Sequence, residues 1–290
     1  MPELPDLICL EKRLPPLITG QRITAVEIKE PIVLRMLLPG DFASTLIGAE
    51  FIGVRRHGPF LVFALFGERE IVVHPMLAGR LQWALPQAKV PAACALSLTC
   101  TGPDQTQHRL HYLDDKKMGK VYLTGSGQYD AIPKFNAQGP DLLTADFTLE
   151  YFRQKIKKSR QQVRVLLMDQ AVVSCIGNAY ADEILFAAGI HPKAFCYQLD
   201  EAAITKLHRG VIDVMRWGIA EVEKADPPLE VKVREHMRVR NRKDQPCLQC
   251  GTKIRRAGVR GFDTFFCPIC QPLTRAQFID WRKLEAAPYA

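Results

Sequence analysis

Hydrophobic residues recur at two different periods along the chain, and the change of period predicts two kinds of structure. The first 135 residues contain short β-rich runs, such as ITAVEIKE and EIVVHPMLAGRLQW, which Gly and Pro separate. Ahead of these runs, Leu7, Leu10 and Leu14 fall on one face of a helix. The pattern predicts an N-terminal helix packed on a β-sandwich.

The middle of the chain has helical periodicity instead. Gly177 and Asn178 interrupt an apolar stretch, after which helical spacing resumes until Gly189 and Pro192 end it. The segment predicts helix, turn, helix, and the free backbone N–H groups after Asn178 suit either a phosphate or an ordinary cap. Apolar stripes on either side predict two further amphipathic helices, one with Val163, Leu166, Leu167 and Gln170, the other with Ile204, Leu207, Val211, Val214 and Met215.

Composition places the chain among ordinary globular proteins. Its 290 residues suffice for two or three domains, and 47% hydrophobic with 24% charged residues excludes a disordered or fibrous chain. No run of eighteen apolar residues and no signal-peptide pattern occurs, so the default expectation is a cytoplasmic location. Gly139 and Pro140 mark the expected linker between the β-rich and helical parts.

Four of the nine cysteines have the spacing of a metal site. Cys247, Cys250, Cys267 and Cys270 form C-x2-C-x16-C-x2-C, in which two tight knuckles supply four thiolates to one tetrahedral zinc ion. A site with four thiolates has no open position for water, so the zinc is predicted to be structural. The remaining cysteines have apolar neighbours and are predicted to be small core residues: Cys9, Cys94, Cys100, Cys175 and Cys196.

The segment between the knuckles predicts a β-hairpin. TKIRRAGVRGFDTFF alternates in short runs around Gly258 and Gly261, and we interpret residues 234–275 as a zinc-ribbon hairpin. Such a hairpin can enter a DNA groove, bind another protein or have a purely structural role. The motif by itself does not distinguish these uses.

Charge favours nucleic acid as the partner. The formal net charge is +8, and Lys and Arg concentrate in three runs at 155–164, 231–243 and 253–260. Each run alone is compatible with a solvated face. Three runs beside a metal motif favour binding to a polyanion.

These motifs together resemble the formamidopyrimidine-DNA glycosylase and endonuclease VIII family of DNA repair enzymes. The resemblance is collinear over about residues 1–275. It rests on MPELP at the start, HPMLAG at 74–79, LHYLDDKKMG at 110–119, GPDLL at 139–143, the block LLMDQAVVSCIGNAYADEILFAAGIHP at 166–192, and FFCPICQ at the end of the hairpin.

The resemblance implies that Pro2 and Glu3 are catalytic. Removal of Met1 would expose the secondary amine of Pro2, and an N-terminal amine has a reference pKa near 8, which leaves a useful fraction neutral and nucleophilic. By resemblance, Pro2 attacks C1′ of the damaged nucleotide, expels the base and forms an iminium. Glu3 would protonate the sugar oxygen and move protons during elimination.

The resemblance also implies which residues contact DNA. Asn178 corresponds to a phosphate-contacting asparagine and His74 to a DNA-contacting histidine, although a buried structural histidine is nearly as compatible with the sequence. Residues that refill the space left by the flipped base correspond to Leu77, Lys117 and Met118. The predicted DNA-contacting cations of the hairpin are Lys253, Arg255 and Arg260.

Two positions depart from the family pattern. Pro59 stands where a phosphate-binding lysine is typical, and Phe262 stands where the hairpin usually carries an arginine. Neither side chain can pair with a phosphate. Cations that could compensate are Arg55, Arg56, His57 and Arg260.

The sequence therefore predicts an α+β protein in four segments. These are an N-terminal β-sandwich with flanking helices (1–138), a helix-two-turn-helix domain (139–233), the zinc hairpin (234–275) and a tail (276–290). We expect a monomeric, bifunctional DNA glycosylase and lyase that acts on duplex DNA with a damaged base or an abasic site. The alternatives are a non-catalytic DNA-binding paralogue, favoured by Pro59 and Phe262, and a protein-docking zinc ribbon.

Overall fold

The computed structural model describes residues 2–273, so the predicted tail and the last two residues of the predicted hairpin segment lie outside the described residues. The chain divides into two compact units that are not contiguous in sequence. One comprises residues up to 139 together with 215–236, and the other comprises 140–214 together with the residues from 237 onward. The four contiguous segments inferred from the sequence stay a prediction.

The first unit contains a β-sandwich, as predicted. One sheet has four antiparallel strands in the order β1-β7-β8-β6, and the other has five in the order β2-β9-β5-β4-β3, in which only the β2–β9 pair is parallel. The strands are β1 (Arg22–Ile28), β2 (Leu34–Met36), β3 (Phe51–His57), β4 (Phe60–Leu65), β5 (Arg69–His74), β6 (Arg80–Ala84), β7 (Cys94–Thr101), β8 (Gln107–Leu113) and β9 (Lys120–Gly125).

Alternation of side chains builds the interior between these sheets. Phe63 and Ile71 of the five-stranded sheet line the same apolar space as Leu98 and Leu110 of the four-stranded sheet. Helix α1 (Leu4–Ile18) buries Leu7, Leu10 and Leu14, the stripe predicted from the sequence. A short helix, α2 (Phe42–Leu46), completes the N-terminal part.

The second unit carries the helical block. Its helices are α3 (Leu149–Lys158), α4 (Val163–Leu167), α5 (Asn178–Ala188) and the first part of α6 (Glu201–Ala225), whose later turns belong to the first unit. Helix α5 ends as predicted, because Gly189 adopts the left-handed conformation (φ 72°) that closes a helix. Helix α4 is shorter than its apolar stripe indicated, because the side chain of Gln170 instead bonds Cys175 N and Ile176 O in the following turn.

The predicted hairpin is formed by β10 (Arg255–Val259) and β11 (Phe262–Phe266). Arg260 and Gly261 make the two-residue turn with positive φ angles of 47° and 81°, as a type I′ turn requires. Gly258, which the sequence suggested as a break, lies within β10. Among residues 2–273, no helix is both long and apolar enough to span a lipid bilayer.

Candidate functional site

The N-terminal dipeptide is held by the first turn of α1. Pro2 and Glu3 are both buried, and the Glu3 N–H donates to Asp6 Oδ2 at 2.8 Å. The guanidinium of Arg234 donates to both oxygens of Asp6, at 2.9 and 2.6 Å. A bidentate pair between residues 228 positions apart therefore fixes the backbone next to Pro2.

Pro2 also lines a cavity of the first unit. Its other walls come from one face of α1, from the turn at Gly79, from the end of α6 and from the segment 227–232. Lys232 lines the same cavity. If the chain begins at Pro2, the cavity wall carries a secondary amine.

The predicted wedge residues lie on two constrained turns of the first unit. The side chains of Leu77 and Met118 are 49% and 42% exposed. Asp114 holds the second turn, because its carboxylate accepts the N–H groups of Lys116 (3.1 Å) and Gly119 (2.7 Å). A Cβ at Gly119 would lie 1.8 Å from the Tyr112 hydroxyl, so that position requires glycine.

Lys117 and His74 have internal partners. Lys117 Nζ forms an ion pair with Glu30 at 2.7 Å, so contact with DNA would compete with this pair. The His74 ring packs against the Phe60 ring in a tilted arrangement, with centroids 4.4 Å apart. Burial, assisted by the charge of Lys134, lowers the pKa of His74 to about 4, so the imidazole is neutral at neutral pH.

The surroundings of Pro59 do not replace the missing lysine. Pro59 is buried in the turn between β3 and β4. The neighbouring cations make internal contacts: Arg55 with Tyr129 (2.5 Å) and Glu70 (3.6 Å), Arg56 with Glu11 (3.4 Å), and His57 Nε2 with the Phe135 carbonyl (2.8 Å).

The hairpin, by contrast, presents its cations to solvent. Lys253, Arg255 and Arg260 are exposed, and among the described residues none of the three forms an ion pair. Phe262 is 48% exposed directly after the turn. The hairpin thus combines positive charge with one accessible aromatic ring, both of which suit nucleic acid.

Asn178 lies at the first position of α5 and accepts a hydrogen bond from Arg164 NH2 at 2.8 Å. Arg164, 1% exposed, also forms an ion pair with Asp182 at 3.0 Å. Asp182 is fully buried and accepts from Thr264 Oγ1 (2.6 Å) as well as from Arg240 NH1 (2.9 Å). One buried network therefore connects the start of α5 to strand β11 of the hairpin.

The four predicted metal ligands converge within the second unit. All four Sγ atoms lie within 4.8 Å of one another, with Cys247–Cys270 at 3.8 Å and Cys250–Cys267 at 3.4 Å. A tetrahedron of Zn–S bonds of about 2.3 Å has edges of about 3.8 Å, so the cluster fits one structural zinc ion. Hydrogen bonds from Thr252 lower the pKa of the Cys250 thiol to about 6, which favours a thiolate.

Sequence reasoning missed four residues of these networks. Arg234, Lys232 and Arg240 were interpreted only as members of a basic run, although the structure turns them toward buried acids or the Pro2 cavity. Arg164 had a detectable signal, because it stands alone among apolar residues in VRVLL. The other cysteines are buried, as predicted.

Three family models match most of the chain. They are the "Formamidopyrimidine-DNA glycosylase N-terminal domain" at residues 1–121, the "Formamidopyrimidine-DNA glycosylase H2TH domain" at 138–226, and the "Zinc finger found in FPG and IleRS" at 244–273. These matches include the Pro2 region, the helical block and the four cysteines.

Individual relatives agree with these matches. Formamidopyrimidine-DNA glycosylases of Symbiobacterium thermophilum and Bacillus subtilis are each 32% identical to this chain, covering 94% and 93% of it and 90% and 99% of their own lengths. The Lactococcus lactis Fpg in complex with DNA containing an abasic site superposes with a TM-score of 0.83 at 28% identity, covering 93% of this chain and all of that one. The chain belongs to the formamidopyrimidine-DNA glycosylase and endonuclease VIII family.

Proposed function

We propose that this protein is a bifunctional DNA glycosylase and abasic-site lyase of base excision repair, with Pro2 as nucleophile and Glu3 as acid and base. The observation that carries the proposal is the placement of Pro2. It lines a cavity, directly ahead of a helix whose first turn is fixed by the Asp6–Arg234 pair. A nucleophile needs this kind of fixed approach.

The proposed chemistry begins with the neutral amine of Pro2. Its lone pair attacks C1′, the glycosidic bond breaks, and the base leaves with the bonding electrons and acquires a proton, while the attacking nitrogen loses its own proton and so regains a lone pair. Opening of the C1′–O4′ bond then gives an iminium, while O4′ takes a proton from Glu3. Loss of a proton from C2′ expels the 3′-phosphate, and hydrolysis of the iminium releases the enzyme.

Glu3 suits proton transfer because it is buried beside this amine. Its backbone N–H is already bonded to Asp6, so the orientation of residue 3 does not depend on substrate. Glu3 is therefore expected to matter more for expelling a base than for attacking an aldehyde that is already open.

DNA binding is proposed to use the exposed hairpin cations and the N-terminus of α5 at Asn178. The partner is duplex DNA with a damaged base or an abasic site, consistent with solved relatives described as Fpg bound to abasic-site DNA and to FAPY-dG DNA. A monomer in the bacterial cytoplasm suffices for this role, and both properties stay predictions.

One observation favours a second candidate, a lesion-binding paralogue with little or no catalysis. Pro59 is buried and uncharged, its cationic neighbours have internal partners, and Phe262 offers no charge. Such a protein would bind DNA through the hairpin yet fail to hold a bent duplex over Pro2.

Borohydride trapping separates the two candidates, because the reagent reduces an iminium to a stable amine. The protein lacking Met1 is incubated with duplex DNA containing an abasic site, which removes base specificity from the question. We expect a covalent adduct at Pro2 by peptide mass spectrometry. Pro2→Gly and a form that retains Met1 should reduce it sharply, whereas Glu3→Gln should impair base release more than trapping.

Slow trapping by the wild type would be tested with the double variant Pro59→Lys and Phe262→Arg. Faster trapping in the double variant would show that the two departures limit the lyase. Tight binding of abasic DNA without an adduct, even in the double variant, would establish the non-catalytic candidate instead.

A further inference from the structure

Two cations line the cavity beside Pro2, Arg80 and Lys232, and among the described residues Lys232 is the one of the two that has no ion pair. Among its polar wall residues, Asp6 is paired with Arg234, Glu230 accepts from Gln82 at 2.9 Å, and Arg80 lies 3.6 Å from Asp115. Lys232 has a single contact within residues 2–273, a long hydrogen bond of 3.4 Å from Nζ to the Leu77 carbonyl.

An ammonium group carries three N–H donors, so at least two remain available at Lys232. Asp6 does not take them: its oxygens accept from Arg234 and the Glu3 N–H, and among the described residues no ion pair joins it to Lys232. Burial lowers the pKa of Lys232, although the charges of Asp6 and Glu3 oppose that effect. A partly desolvated ammonium with spare donors is stabilised when an acceptor oxygen enters the cavity.

We propose that Lys232 is a substrate-binding residue that donates from Nζ to an acceptor oxygen of the damaged nucleotide held against Pro2. The inference rests on the proposed function, because it takes the Pro2 cavity as the place where that nucleotide lies. Lys232 lines the cavity and also contacts the turn that carries Leu77, so one ammonium group adjoins both the Pro2 cavity and a predicted wedge residue.

Two oxygens of a damaged nucleotide have the required chemistry. One is a phosphate oxygen next to the abasic sugar, and the other is a carbonyl oxygen of the extruded base. The two sources differ in their response to salt, because neutralising one phosphate contributes about 0.9 to the slope of log affinity against log salt. They also differ in whether a base must be present.

The test compares Lys232→Met and Lys232→Gln with Lys232→Arg, which keeps the charge and donors. The matched control is Lys224→Met, which removes one positive charge from an exposed position on α6 outside the cavity. Equilibrium affinity is measured over a range of salt concentrations. The probes are one duplex with a tetrahydrofuran abasic analogue and one with FAPY-dG, and every variant is measured in a Pro2→Gly background so that no base is excised during the measurement.

We expect Lys232→Met and Lys232→Gln to weaken binding about tenfold or more relative to Lys224→Met, with Lys232→Arg retaining most of the affinity. Equal loss on both probes with a slope lower by about 0.9 would assign a phosphate oxygen. Loss confined to the FAPY-dG duplex with an unchanged slope would assign a base oxygen.

Losses at Lys232 no larger than at Lys224 on both probes would overturn the proposal. Thermal unfolding of each variant shows whether it is folded. If Lys232→Met is not, the comparison of Lys232→Arg with Lys232→Gln decides the outcome. The test measures binding and not catalysis. A wild type that binds normally but gives no Pro2 adduct would therefore disprove the lyase and leave the binding role of Lys232 to be decided by its own variants. A wild type that binds neither duplex would disprove both the proposed function and the role of Lys232.

Discussion

Two carboxylates, Asp6 and Asp182, each lie at the centre of a charged network, and the two networks differ in whether donors remain for a ligand. Asp182 is fully buried, and two arginines, a threonine hydroxyl and the Phe265 N–H donate to it. Asp6 has one arginine, and beside it lies a cavity with Pro2 and the underused ammonium of Lys232. One network is closed by its own side chains, and the other leaves donors for a ligand.

The difference shows how a structural site and a reactive site can be distinguished without knowing the reaction. Around Asp182 both guanidinium groups, the Thr264 hydroxyl and the Phe265 N–H have acceptors within the network, so its role is to hold α5 and the hairpin together. In the other network Asp6 has its hydrogen-bond donors, whereas the neighbouring ammonium of Lys232 has donors without acceptors. Such an arrangement is typical of a site that binds a substrate. The following predictions test this distinction.

Removal of the metal is expected to have the largest effect, and on the second unit alone. Chelation should release one zinc ion per chain and unfold the hairpin, because structural zinc contributes on the order of 10 kcal/mol in small domains. Amide hydrogen exchange should rise first at residues 244–271, ahead of the β-sandwich. Cys267→Ser should reproduce this, whereas Cys196→Ala, at a buried cysteine outside the cluster, should retain the zinc.

Substitution of the two carboxylates compares the networks directly. Asp182→Ala leaves the buried Arg164 without its acid and should cost about 3–5 kcal/mol of unfolding free energy. Asp6→Ala should cost less, about 1–2 kcal/mol: it removes the acceptor for the Glu3 N–H and the partner of Arg234, but Arg234 is 18% exposed and can still be hydrated. Urea denaturation with hydrogen exchange checks both values. Equal costs would contradict the contrast between a closed and an open network.

Charge reversal on the hairpin should weaken DNA binding without affecting stability. Lys253→Glu together with Arg255→Glu should lower affinity on the order of a hundredfold at low salt, equally for plain and lesion-bearing duplexes. The log–log salt slope should fall with it. Fluorescence anisotropy over a salt series makes the measurement. A salt-independent affinity, or no binding at low salt, would favour a protein-docking hairpin.

Acid pH should have the smallest effect, divided between the units. Burial lowers the pKa of His74 in the first unit and of His191 in the second to about 4, whereas an unfolded histidine titrates near 6.5. Protons therefore bind more tightly to the unfolded state. The folded state keeps its full stability above pH 6.5 and loses part of it as the pH falls toward 4. His74→Phe should reduce acid sensitivity only in the sandwich, and His191→Phe only in the helical unit, by hydrogen exchange.

Local patterns in the sequence predict the parts of this structure that depend on local physics. The Leu7, Leu10 and Leu14 stripe predicts α1 because helical spacing alone places these residues on one face. The cysteine spacing predicts the metal cluster because each knuckle is a short local turn. Gly189 predicts the end of α5 for the same reason, since its left-handed conformation is a local requirement.

What the sequence did not predict depends on contacts between distant residues. Arg234 reaches Asp6 across 228 positions, and Arg240 reaches Asp182 across 58. A basic run gives no sign of which members will be buried, because the acids that pair with them belong to other segments. The interpretation of the run at 231–243 as a DNA-binding or solvated surface therefore omitted the residues that organise both sites.

The hydrogen bond from Arg164 to Asn178 also determines the orientation of the Asn178 side-chain amide, whose oxygen and NH2 group could otherwise exchange places. The two ends of an amide are nearly the same shape, but a guanidinium can only donate, so the carbonyl oxygen of Asn178 must face Arg164. The NH2 group of Asn178 is then the branch directed away from the buried arginine. On that side the Asn178 side chain presents donors only, so a ligand that contacts it there must supply an acceptor, as the oxygens of a phosphate do.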